Sequence, residues 1–155
     1  MEIIKKDNYV FSVDIEKTKI YYQTKKRCDC DSCRNYYAQI EEKFPKLTAF
    51  LADFGADVSK PDEIAWLEMD NYINYLDVYY TVCGNIQSMG NKEIDIEDQL
   101  TLSLSFTNGY VAPNTQADEY FTISVMNIDL PWVLKTPPPT PLKQGIFQKL
   151  IRLLS

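Results

Sequence analysis

Cys28, Cys30 and Cys33 stand within six positions of one another in the stretch KKRCDCDSCRNYY, and a fourth cysteine, Cys83, follows fifty residues later. Thiolates are ligands for soft and borderline metal ions, and four of them make a tetrahedral structural zinc site with sulfurs about 2.3 Å from the metal. The count meets that requirement without histidine. The spacing meets it less well, because C-x-C-x-x-C contains a single C-x-x-C pair, Cys30 and Cys33. That pair also suits thiol redox chemistry at a helix start, where the helix dipole lowers a thiol pKa. Asp29 and Asp31 flank Cys30 and oppose its ionisation, while Lys25, Lys26 and Arg27 partly offset them. A third reading is packing, since free cysteine is commonly buried as a small, weakly polar residue. On sequence alone a metal site, a redox pair and packed thiols all stay open.

The chain has no histidine, which removes Ser-His-Asp and Cys-His catalysis, imidazole metal sites and the usual proton shuttle near neutral pH. Its five glycines form neither GxGxxG nor GxxxxGK[ST], so neither common nucleotide fingerprint is present. Glu93, Asp95, Glu97 and Asp98 make an acidic row without EF-hand spacing, which reads as the solvated face of a strand opposite Ile94 and Ile96. Tyr72, Tyr75, Tyr79 and Tyr80 offer an aromatic platform for a sugar or peptide. Aromatic packing across a sheet explains them more simply.

The elements that must hold these residues follow from periodicity. Tyr9 to Ile15 alternate apolar and polar, and KIYYQT follows, so two early strands are expected. Tyr36, Tyr37, Ile40 and Phe44 recur at helical spacing behind Asp31 or Ser32 as cap, and Leu47, Phe50, Leu51 and Phe54 mark a second helix between Pro45 and Gly55. NYINYLDVYYTVCGNI reads as a strand interrupted near Leu76. Further strands follow at residues 94–106, closed by an Asn108-Gly109 hairpin turn, and at EYFTISVMNIDLPWVL. The expected fold is therefore α+β, an antiparallel sheet with two helices (about 31–44 and 45–55) on one face and an amphipathic helix at the end of the sequence.

At 155 residues, with 45% hydrophobic and 25% charged content, the chain fits one soluble domain, expected over residues 1–134. TPPPTP marks residues 135–141 as an extended linker. Residues 142–155 form the tail helix, with Ile146, Phe147, Leu150, Ile151 and Leu154 on one stripe. A helix that short needs a surface to cover it: its own body, a second copy or protein partner, or an anionic membrane surface. All 22 acidic residues lie at or before Asp129, so the body is strongly acidic and nucleic-acid binding is not expected. No apolar run reaches the roughly 20 residues of a membrane span, and the charged start lacks a signal-peptide core. These features place the protein in the cytoplasm, where thiols stay reduced.

Three stretches, CDCDSCRNYYAQI, FPKLTAFLADFGADVSKPDEI and DLPWVL, resemble an uncharacterised family of small bacterial proteins. The likeness spans most of residues 28–134 and is densest between 28 and 64. The chain departs from it at VYYTVCGNI, where Cys83 lies. That resemblance implies no catalytic residue and no substrate. The functional expectation is a non-catalytic intracellular binding or assembly module, associating through the tail helix. The alternative is a thiol-redox or structural-zinc protein built on Cys28, Cys30 and Cys33, with Cys83 as a fourth ligand.

Overall fold

The computed structural model describes residues 1–98, 101–109 and 119–140. In chain order these form β1 (Glu2–Lys6), β2 (Tyr9–Val13), α1 (Ile15–Thr24), α2 (Asp31–Tyr37), α3 (Ile40–Lys43), α4 (Pro45–Asp53), β3 (Glu63–Glu68), β4 (Ile73–Ser88), β5 (Ile94–Glu97), β6 (Thr101–Asn108) and β7 (Tyr120–Leu130). The strands make one antiparallel sheet in the order β1-β2-β4-β7-β6-β5, with β3 paired to β4 off that path. The mixed α+β class expected from the sequence is the one observed.

β4 is the spine. β7 covers one of its edges from Ile73 to Cys83, and the other edge is shared by β3 at Ile73–Tyr79 and β2 at Gly84–Ser88. Helix α1 fills the gap between those two. Tyr22 donates its hydroxyl to Thr81 O at 2.8 Å, and Thr18 Oγ1 accepts the Cys83 N–H at 3.0 Å, so backbone groups left open by the sheet find partners on the helix. Gly84 sits where β2 crosses closest: its φ is 137°, and a Cβ there would meet Ser12 O at 2.0 Å.

The interruption expected near Leu76 is a bulge. Leu76 is an extra residue opposite the Ala65/Trp66 step of β3, and the buried side chains change from odd positions (Ile73, Tyr75) to even ones (Val78, Tyr80, Val82) across it. β7 makes the matching change, from Phe121, Ile123 and Val125 to Ile128 and Leu130, with Asn127 between them at φ 61°. A one-residue slip in a single strand would turn half its apolar set to the wrong side. Because both strands slip together, one continuous apolar face is kept. Helices α2 and α4 pack on that face through Tyr36 against Tyr75, Phe54 against Phe11 and Phe121, and Phe50 against Phe106.

Several local expectations are corrected. KIYYQT is the second half of α1, not a strand. The Asp14 carboxylate accepts the Lys17 N–H at 3.0 Å as N-cap, and Thr18 and Tyr22 are buried one helical turn apart. β2 pairs instead with Glu2–Lys6 through a turn at Asp7, whose φ is 50°. The helix expected over 31–44 is split into α2 and α3 at Gln39, whose side-chain amide donates to Pro131 O at 2.8 Å and to Asn35 O at 3.1 Å. Helix α4 begins at Pro45 as expected, and Gly55 follows its end at φ 82°. Its open N–H groups at Lys46 and Leu47 are taken by the Asp98 carboxylate, each at 3.0 Å. Asp98 is therefore a helix cap supplied from across the fold rather than part of a solvated row. Gly109 has the expected positive φ of 67°, but the β6–β7 connection runs on to Glu119 instead of closing as a tight hairpin.

Residues 135–140 run without helix or strand, with the Trp132 indole N–H on Thr136 O at 2.7 Å. The tail stripe Ile146, Phe147, Leu150, Ile151 and Leu154 lies outside the described residues. No helix among the described residues is long and apolar enough to cross a membrane.

Candidate metal centre

The segment carrying the first three cysteines is fixed at both ends. At its start, Lys60 reaches back to Tyr22 O at 2.8 Å, and the Asp62 carboxylate takes three donors: the Tyr21 hydroxyl, Thr81 Oγ1 at 2.6 Å and the Lys25 ammonium at 2.8 Å. The Asp62 side chain is only 1% exposed and that of Lys25 15%. A charge pair this buried holds its place because removing either partner strands the other. Lys25 is thus anchored just before Cys28.

At the far end α2 is clamped to the sheet. Tyr75 donates its hydroxyl to Ser32 O at 2.6 Å, and the fully buried Asn35 donates to Tyr75 Oη at 3.2 Å and Pro131 O at 3.1 Å while accepting the Val133 N–H at 2.9 Å. Cys30 is the N-cap of α2, a role expected of Asp31 or Ser32; Asp31 is instead the first helical residue and pairs with Arg34 at 3.0 Å. Cys33 lies on the buried side of α2.

Between these anchors Cys28, Cys30 and Cys33 converge. Their sulfurs all lie within 4.8 Å of one another, with Cys28 and Cys30 exposed and Cys33 buried. Cys83 is not in this group. It is buried on β4, where it lines a different pocket with Asp14, Lys17 and Gly84. The cluster supplied by the described residues is therefore three thiols, not the four that the cysteine count suggests. The redox expectation is also redrawn. The thiol held below its ordinary pKa is Cys28, whose sulfur accepts the Cys30 N–H and thiol, whereas burial first and the neighbouring thiols second push Cys33 well up.

The three sulfurs open onto a cleft of about 370 Å³. Tyr37, Pro61, Ile64 and Trp66 give it an apolar wall, and Lys26 and Glu63 are its polar members beside Asp62. Ile64 and Trp66 come from β3, the short strand on the edge of the spine opposite β7, so tertiary pairing brings them to the cleft beside the cysteine loop. Arg27 lies over the Tyr37 ring, 4.7 Å from its centre, on the same side of the molecule. Burial, and then the neighbouring Cys33 and Cys28, keep Tyr37 protonated far above the ordinary phenol range.

Chemically, the arrangement offers sulfur donors. Among the described residues that line the cleft, Asp62 has both carboxylate oxygens engaged by Tyr21, Thr81 and Lys25, and Glu63 is exposed. Sequence reasoning singled out the three clustered cysteines and named Lys25 as a nearby cation, but missed its pairing with Asp62 and missed Trp66. Nothing in the spacing of those residues marks them. The tyrosine cluster resolves into structure: Tyr75 and Tyr80 are fully buried and hydrogen-bonded, while Tyr72 is exposed. Comparison with family models, with curated proteins and with solved structures finds no match for this chain.

Proposed function

We propose that the protein is a non-catalytic binding module in which Cys28, Cys30 and Cys33 hold a thiophilic metal ion, zinc being the divalent cation best suited to such donors. The observation that carries this is the convergence of three sulfurs within 4.8 Å on a loop anchored at both ends. Three cysteines placed for packing alone would not need two of their thiols exposed. A bound cation would tie the loop at Cys28 to helix α2 at Cys33. Elemental analysis of freshly purified protein tests the proposal. One metal per chain is expected in the wild type and in Cys83→Ser, and none in Cys33→Ser. Metal-free wild type, or full metal content in Cys33→Ser, overturns it.

A second reading is thiol–disulfide exchange, favoured by an exposed Cys28 beside a buried Cys33. In it Cys28 attacks an external disulfide and Cys33 then displaces the outgoing thiol, leaving an internal disulfide, two released thiols and two fewer hydrogens on the chain. Intact mass after mild treatment with a small disulfide distinguishes the two. Loss of two hydrogens from protein prepared metal-free supports exchange, and an unchanged or stably adducted mass opposes it.

A further inference from the structure

Three sulfurs leave one corner of a tetrahedral centre unassigned, and the three cysteines line a cleft from which a further ligand could reach them. Cys28, Cys30 and Cys33 form the complete group of clustered donor residues among the described ones, with Cys83 in another pocket and Asp62 saturated by its own partners. The space beside the sulfurs is the 370 Å³ cleft, walled by Trp66, Ile64, Tyr37 and Pro61 with Lys26 as its cation. Resting on the metal reading above, we propose that the centre takes its fourth ligand from outside the chain: the thiolate of a small molecule that also carries a carboxylate.

Each part of that ligand has a counterpart in the cleft. Three thiolates already over-neutralise a divalent cation, so a water in the fourth position is polarised less than one held by three neutral imidazoles. Ligand capture, rather than hydrolysis, suits such a centre. A sulfur donor completes the all-thiolate set that soft cations prefer, and sulfur makes favourable contacts at the edges of aromatic rings such as Trp66 and Tyr37. A fourth thiolate brings the centre to a charge of −2, which Lys26 and the nearby Arg27 oppose, with Glu63 of the same cleft offsetting one of these cations. Lys26 is also placed to receive the ligand's carboxylate. A cleft of about 370 Å³ has room for a ligand of a few tens of heavy atoms at most, well below the dimensions of a folded partner.

The test uses the full chain loaded with Co²⁺, whose sulfur-to-metal absorbance scales with the number of bound thiolates. It is run in wild type and in Cys83→Ser, with 2-mercaptoacetate as the probe and acetate as the control. Adding the probe is expected to raise that absorbance by about one third, from three sulfurs to four, and to saturate. Acetate is expected to leave it unchanged. Lys26→Ala is expected to weaken the probe's apparent affinity about three-fold through loss of a partly exposed ion pair. Absorbance that shows four sulfurs before any probe is added, or three that never increase before the probe strips the metal, overturns the external ligand while leaving the metal site standing. Absence of any sulfur-to-cobalt band overturns the metal reading, and this proposal with it.

Discussion

Buried tyrosine hydroxyls make the protein's stability fall at high pH, and three of them lie in one part of the core. Tyr22, Tyr36 and Tyr80 are buried at 2% exposure or less. Tyr22 donates to Thr81 O at 2.8 Å; Tyr36 and Tyr80 share a 2.6 Å hydrogen bond, and Tyr80 donates onward to Val58 O at 2.7 Å. Burial is the first cause that lifts all three above their ordinary value of 10.0. A folded-state pKa raised in this way favours the neutral phenol, so the unfolded chain loses its protons first. The contribution is whole below about pH 10 and is lost as the pH rises from there toward the folded values. Each such group contributes about 1.4 kcal/mol per pH unit, so these three alone make the slope about 4 kcal/mol per pH unit, and Tyr21, Tyr37 and Tyr75, also raised chiefly by burial, steepen it further. Against a stability of about 5–15 kcal/mol, the chain is expected to unfold cooperatively within about four pH units above 10. Far-ultraviolet circular dichroism and the absorbance of phenolate, followed together, check this. The late phenolates are expected to appear in the same step in which the dichroism is lost, and Tyr22→Phe lowers the slope by about 1.4 kcal/mol per pH unit. If all eleven tyrosines ionise gradually near the ordinary phenol pKa while the dichroism stays constant, the buried network described above is wrong.

The remaining predictions concern the residues that frame the cysteine loop and the helices beside it. Asn35→Ala removes two donors and the acceptor of the Val133 N–H, a loss of about 3 kcal/mol, read as a fall of about 6–12 °C in the thermal midpoint. A midpoint within a degree of wild type would mean that α2 is not held by this clamp. Asp62→Ala leaves Lys25 buried without its carboxylate and is expected to cost about 3–5 kcal/mol in denaturant unfolding and to weaken zinc binding in a calorimetric titration. Unchanged values in both would dissociate the ion pair from the loop. Asp98→Ala uncaps α4 and is expected to cost about 1 kcal/mol by urea unfolding, whereas a mere solvated acid would cost nothing measurable.

Much of the framework can be read from residue order because it rests on local rules. The α+β class, the stop at Gly55, the start of α4 at Pro45 and the irregularity at Leu76 follow from periodicity and from residues with restricted or permissive backbones. The three-cysteine cluster is legible for the same reason, since residues two and three apart in a loop cannot be far apart in space. Where the local pattern misled, a long-range partner had overruled it. KIYYQT is rich in residues that favour strands, yet Thr18 and Tyr22 satisfy the open edge of β4 only from a helix. Gln39 breaks a helix that its neighbours would continue, because its amide is committed to Pro131 ninety-two residues away.

The sequence by itself determined the chemical inventory: sulfur donors without imidazole, an acidic body and an antiparallel sheet, all properties of residue type and short-range order. Only the tertiary structure decided how that inventory is deployed. It set Cys83 apart from the other three thiols, buried Asp62 under Lys25, and brought Trp66 of an edge strand to the cleft beside the cysteine loop. Those outcomes depend on strand pairing and on which donors reach which acceptors across tens of residues. Neither is encoded in the spacing of the residues concerned.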